Sequence, residues 1–126
     1  KILKSKLKKV EKISKINTKI QVNMALNYGS RQEIIDSIKN LNKKKLLITE
    51  KNINKFLYTN NIPDPEILIR TGNTNRISNF LVWQSIYTEI FFVKKMWPDF
   101  KTEDFFKIIN KFYKINRNFG GLNDGN

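Results

Sequence analysis

Apolar positions along this chain change period repeatedly, and each change marks a predicted element. Leu3, Leu7, Val10, Ile13 and Ile16 recur every three or four residues among lysines, which predicts a helix with one apolar stripe. The stripe is expected to face a core, although a helix lying on an anionic membrane has the same pattern. Ile20, Val22, Met24 and Leu26 then alternate with Gln21, Asn23 and Ala25, the period of a strand with one buried face. Asn27-Tyr28-Gly29 ends that strand. Ser30 with Glu33 three residues on reads as a capping box, and Ile34, Ile35, Ile38 and Leu41 follow at helical spacing. Thr49-Glu50 opens a shorter helix carrying Ile53, Phe56 and Leu57.

Pro63-Asp64-Pro65 cannot continue that helix, because proline lacks the amide donor and restricts the residue before it. Ile67-Leu68-Ile69 reads as a strand buried on both faces and closed by Arg70-Thr71-Gly72. A polar loop from Asn73 to Arg76 leads to Ser78, and Phe80, Trp83 and Tyr87 give Asn79 to Tyr87 a helical spacing. Ile90 to Val93 is a second short buried strand. After Trp97-Pro98, Thr102, Glu103 and Asp104 open a last helix bearing Phe105, Ile108, Ile109 and Phe112. Strands alternating with helices predict an α/β fold, a largely parallel sheet flanked by helices. Only about three strands are visible, fewer than such a sheet usually needs, so residues 1–126 are expected to be an incomplete part of a single domain.

Composition changes this picture mainly by exclusion. The net charge of +13 would ordinarily suggest nucleic acid or an anionic membrane. However, 20 lysines, 18 isoleucines and 17 asparagines against a single alanine look like an AT-rich coding bias spread over every surface. A nucleic-acid partner is not expected, since Phe105, Phe106, Phe112 and Tyr113 fall at core spacing instead of forming a stacking platform. Without cysteine there is no disulfide or thiolate chemistry, which suits a reducing cytoplasm, and without histidine the Ser-His-Asp hydrolases and imidazole metal sites are excluded. No uninterrupted aliphatic or aromatic run is longer than the four residues of Ile90 to Val93, far short of the roughly 20 residues that span a bilayer. A start at Lys1 without methionine or an apolar signal core suggests a fragment.

Chemistry must therefore run on carboxylates, arginines, hydroxyls and backbone. In parallel α/β folds, ligands bind beyond the carboxyl ends of strands, where helix amino termini offer free amides. Asn27-Tyr28-Gly29-Ser30-Arg31 suits that position, as does Arg70-Thr71-Gly72 through Arg76-Ile77-Ser78. Arginine forks match phosphate oxygens, and a hydroxyl with backbone amides completes a cradle of diphosphate size. Spacing equally allows Arg70 to pair with Asp64 or Glu66 and Ser78 to be a simple helix cap. Glu89, beside an apolar run, needs a partner: a magnesium ion shared with phosphate, or, more commonly, a lysine.

These residues resemble the carboxyl-terminal half of the cis-prenyltransferases, the family of undecaprenyl diphosphate synthase. The most specific stretch is Leu68-Ile69-Arg70-Thr71-Gly72, Arg76-Ile77-Ser78-Asn79-Phe80-Leu81, Trp83-Gln84, Tyr87-Thr88-Glu89 and Trp97-Pro98-Asp99-Phe100, in the family's order and spacing, and the similarity extends to Phe119-Gly120-Gly121. The resemblance implies a magnesium-dependent enzyme that condenses isopentenyl diphosphate with an allylic diphosphate to give a cis-polyprenyl diphosphate, a lipid-carrier precursor. It implies that Arg70, Arg76, Ser78 and the Ile77 backbone hold the diphosphate of isopentenyl diphosphate and that Glu89 binds Mg2+. It also implies a homodimer formed through Asn79 to Val93. Peripheral membrane contact is suggested by the greasy product and the lysine-rich first helix.

The departures are specific. The family's amino-terminal half, with its Asp-Gly-Asn-Gly-Arg-Trp segment, the metal-binding aspartate and the allylic site, has no counterpart here, so no catalytic residue is assigned and the isolated piece is expected to be inert. Asn73 stands where a second glycine is usual, Thr74 replaces a frequent glutamate, and Asn118 stands where an arginine usually precedes Phe-Gly-Gly, with Arg117 one position earlier. Asn73 and Asn118 keep open the alternative of a non-catalytic subunit of a heterodimeric cis-prenyltransferase. A basic nucleic-acid-binding domain is the more remote alternative.

Overall fold

The computed structural model describes residues 2–117. Its elements are α1 (Ile2–Ser14), α2 (Ser30–Lys43), α3 (Glu50–Asn54), β1 (Ile67–Arg70), β2 (Glu89–Phe92) and α4 (Thr102–Phe112), with a 3-10 turn over Trp97–Asp99. β1 and β2 pair in parallel, Ile67 beside Glu89 through Arg70 beside Phe92. This is an α/β arrangement with a parallel sheet, as the alternating periods predict. The chain that follows each strand binds the other: Val93 N donates to Arg70 O (2.7 Å), Gly72 N to Lys95 O (2.8 Å) and Asn73 N to Val93 O (3.2 Å). At the opposite end Glu89 N donates to Glu66 O (3.0 Å), and the Thr88 hydroxyl to Pro65 O (2.6 Å).

The core is small. Leu41, Ile53 and Leu57 are buried together with Phe56 and Trp83 against them, and Leu68 and Ile108 are buried elsewhere. Thr49 caps α3 as its sequence predicts, accepting from Asn52 N (3.2 Å), but the helix ends at Asn54, so Phe56 and Leu57 reach the core from the turn that follows. At α4, Asp104 accepts from Lys101 N (3.0 Å) and pairs with Lys95 (2.7 Å), fixing the first turn.

Several expectations are corrected. The α1 stripe is not a core face, for none of its residues is buried. Residues 20–26 form no strand: Ile20, Val22, Met24 and Leu26 are all exposed, because a strand needs a neighbour for its backbone donors and acceptors and none pairs with it among the described residues. The Ile90 to Val93 run is not buried: Phe91 and Val93 are half-buried on one side, and Ile90 and Phe92 are exposed on the other. Asn79 to Tyr87 is a succession of turns and not a helix. Ser78, Asn79 and Leu81 have φ of 51°, 62° and 46°, the left-handed region that a right-handed helix cannot include. Phe105, Phe106 and Tyr113 lie at core spacing on α4 and its end, yet they are exposed in this chain.

Candidate functional site at the carboxyl end of the sheet

Arg70 is the last residue of β1, and the loop after it is shaped by its own side chains. Arg70 Nε donates to Thr74 Oγ1 (3.1 Å), so the Thr74 departure supplies a partner within the loop. Arg70 pairs with neither Asp64 nor Glu66, and neither Arg70 nor Arg76 takes part in an ion pair among the described residues. Gly72 turns at φ 94°, a region that favours glycine. Asn73 turns at φ 55°, which asparagine tolerates better than other side chains, so the position usually held by glycine keeps a left-handed backbone here. Arg76 and Ser78 are exposed and Ile77 is half-buried between them.

The two segments read as candidate anion sites meet. Ser30 N donates to Asn79 O (2.9 Å), Arg31 N to Asn79 Oδ1 (3.0 Å) and Val82 N to Ser30 Oγ (3.1 Å). The amino terminus of α2 is therefore joined to the residue next to Ser78. Gly29, not Ser30, is the N-cap, and no local side chain caps the helix. The expected capping box is absent because both of its members face inward. Ser30 and Glu33 are fully buried, and with Ser37 and Leu41 they form the face of α2 that enters the protein.

Glu33 is the hub of that face. Its carboxylate accepts from the Tyr28 hydroxyl, from Tyr58 N (2.7 Å) and from Gln84 Nε2 (3.1 Å), and Gln84 Nε2 also reaches Thr59 Oγ1 (2.9 Å). Donors surrounding an acceptor-only group satisfy it without a cation. Burial, and then the hydrogen bond to Glu33, push the Tyr28 phenol up from 10.0 to about 12. A neighbouring exposed pair shows the same logic in reverse: the Tyr58 hydroxyl beside Asp36 holds that carboxyl below its ordinary range.

Glu89 lies elsewhere. Its register partner is Ile67, three residues before Arg70, which sets the two about 10 Å apart along the strands. Alternation along the strands also turns Glu89 and Arg70 to opposite faces of the sheet. Glu89 Oε1 lies 3.9 Å from Arg117 Nε, and Arg117 also binds Glu66 (3.1 Å) and Tyr87 O (3.0 Å). The partner of Glu89 is thus an arginine and not a lysine. The described residues contain no group of three or more carboxylates, histidines or cysteines able to hold a metal. Glu89 offers one carboxylate, so a magnesium ion there would need its other ligands from a bound diphosphate or from another segment.

The structure thus brings Arg70, Arg76, Ile77 and Ser78 into one loop and leaves Glu89 outside it. Sequence reading missed Asn79 as a cap, and no sequence signal reports a contact 48 positions away. It also gave Glu33 the wrong partner, although the spacing of Glu33, Ser37 and Leu41 on one helical face was available to show that the residue turns inward. Asn118 and Phe119-Gly120-Gly121 lie outside the described residues. Among the described residues no helix is long and apolar enough to cross a membrane.

Known proteins resemble this chain in sequence and in fold. The family described as "Putative undecaprenyl diphosphate synthase" matches residues 1–120. An isoprenyl transferase of Thermotoga maritima is 42% identical, over 99% of this chain and 55% of its own length. One from Fusobacterium nucleatum is 43% identical over 95% of this chain and 52% of its own. The chain therefore spans about half the length of the curated relatives it matches. Among solved structures, a probable undecaprenyl diphosphate synthase from Campylobacter jejuni superposes with a TM-score of 0.85 at 36% identity, over 94% of this chain and 56% of that one. Lavandulyl diphosphate synthase from Lavandula x intermedia, solved in complex with dimethylallyl diphosphate, gives 0.85 at 30% identity over 94% of this chain and 54% of that one. With its parallel sheet, arginine-bearing loop and matched length, the chain belongs to the undecaprenyl diphosphate synthase family of prenyltransferases.

Proposed function

We propose that the whole protein is a cis-prenyltransferase that condenses isopentenyl diphosphate with an allylic diphosphate, and that this chain carries the isopentenyl diphosphate site. The observation that carries the reading is the loop from Arg70 to Ser78, fixed to β2 at one end and to α2 at the other, with both arginines outside any ion pair among the described residues. Arg70 and Arg76 supply forked donors to the diphosphate oxygens, Ser78 a hydroxyl and Ile77 a backbone amide. Held this way, the isopentenyl unit presents its double bond to an allylic carbon bound by other segments of the protein. That orientation turns a bimolecular encounter into a local one. The terminal carbon of the isopentenyl double bond joins the allylic carbon as the allylic C–O bond breaks, diphosphate leaves as an anion and the isopentenyl unit gives up one proton to solvent or to the departing diphosphate. Fixed positive charge in the segments that bind the allylic diphosphate lowers the barrier without a histidine.

Glu89 is proposed as a single carboxylate ligand to Mg2+ in the assembled protein, where the ion would neutralise diphosphate charge. Its distance from Arg70 within this chain means that the ion would be shared with groups from another segment or from a second copy. A homodimer formed through Asn79 to Val93 is part of the same reading. In the full-length protein, Arg76→Ala is expected to raise KM for isopentenyl diphosphate by at least about tenfold, the worth of a charge-assisted hydrogen bond. Glu89→Gln should instead lower magnesium-dependent turnover and weaken Mg2+ affinity by at least about tenfold, measured by calorimetry. Unchanged constants in both variants reject the assignment.

A further inference from the structure

Arg76, Ile77 and Ser78 lead into a turn that has one backbone bond of its own, Phe80 N donating to Ile77 O (3.1 Å). Ser78, Asn79 and Leu81 all sit at positive φ, a conformation that costs energy in any residue with a side chain, and three such residues within four positions need external support. The support comes from the first turn of α2. Asn79 satisfies two otherwise unpaired helix donors, Ser30 N through its carbonyl and Arg31 N through Oδ1. Ser30 Oγ takes the amide of Val82, and Glu33 takes the side chain of Gln84. Gly29 completes the fit, because a β-carbon there would stand 2.9 Å from Asn79 Nδ2.

We infer that Asn79 is a positioning residue, which with Ser30 fastens the diphosphate-binding loop to α2 and so fixes the backbone that carries Arg76 and Ser78. The inference rests on the proposed diphosphate role of that loop. It gives the amino terminus of α2 a different job from the one its sequence suggests: the free amides there hold protein, not ligand. If released, residues 78–81 would relax toward negative φ and shift the backbone that carries Ser78 and Arg76.

Asn79→Gly separates the cap from the backbone, since glycine accepts φ 62° freely while removing the amide side chain. Titrating the full-length variant with isopentenyl diphosphate is expected to show affinity lower by about tenfold, the scale of a lost cap. KM for isopentenyl diphosphate should rise in step, with kcat and KM for the allylic substrate changed less than about twofold. A merely structural role would reduce the folded fraction and leave KM alone. Ser30→Ala, which keeps α2 but removes the acceptor for Val82 N, should weaken isopentenyl diphosphate severalfold. It also decides the matter should Asn79→Gly not fold. Ser37→Ala, which removes a buried hydroxyl bonded to Glu33 O away from the loop, controls for lost stability and should bind normally. If Arg76→Ala binds poorly while Asn79→Gly and Ser30→Ala bind as the parent, the inference is overturned and the diphosphate reading stands. If Arg76→Ala also binds as the parent, the reading falls and takes the inference with it.

Discussion

The burial of single side chains on α2 has consequences that titration can read. The Tyr28 phenol, raised from 10.0 to about 12 by burial and by its bond to Glu33, is held neutral by the fold. Its contribution to stability is therefore complete below pH 10 and lost as pH rises from 10 toward 12. Ultraviolet titration of the full-length protein should show a late-ionising tyrosine that disappears in Tyr28→Phe, and alkaline unfolding should track it. A Tyr28 ionising at the ordinary value would contradict its pairing with Glu33. Glu33 shows why residue roles were only partly legible in sequence. An Ser-x-x-Glu pattern before an apolar run is a capping box in most helices, but the tertiary partners Tyr58 and Gln84 claim this carboxylate instead. That Arg70, Arg76 and Ser78 share one loop was legible, because their placement is local in the sequence. Glu89 was legible as a carboxylate needing a partner, while Arg117 as that partner was not, since the two meet only once β2 and the end of α4 are in place.

Elements were legible where hydrogen bonds close within a short stretch. α2, α3 and α4 and both observed strands lie near their predicted positions, since caps and periodicity are local. The Asn79 to Tyr87 segment was not, because its apolar spacing is helical while its backbone is bent by contacts to α2. Gly72 tests the opposite kind of case, a turn whose sequence and geometry agree. Gly72→Ala places a β-carbon at φ 94° and should destabilise the protein by about 1–2 kcal/mol. Calorimetric melting should show the loss, along with weaker isopentenyl diphosphate binding, because Gly72 N ties the arginine loop to Lys95 O. At α4 the Lys95 ammonium beside Asp104 holds its carboxyl below the usual 3.8. That pair's contribution is therefore present above pH 3.8 and lost as pH falls through the depressed value, so Lys95→Ala should flatten the acid limb of the stability profile.

At the scale of the whole molecule, the apolar rows on α1 and residues 20–26 are exposed, the sheet among the described residues has two strands, and the chain spans about half the length of its relatives. The fold class was legible from alternating periods, but the burial of those rows was not, because burial depends on what lies against them. The net charge of +13 does not single out the proposed site, since the residues that argue for a ligand are two of the four arginines, Arg70 and Arg76, with Ser78 on one loop. The most direct measurement is a crystal structure of the full-length protein with isopentenyl diphosphate bound. Diphosphate oxygens are expected about 3 Å from the Arg70 and Arg76 guanidinium groups, the Ser78 hydroxyl and the Ile77 amide. A diphosphate bound elsewhere, with that loop facing only solvent, would contradict it.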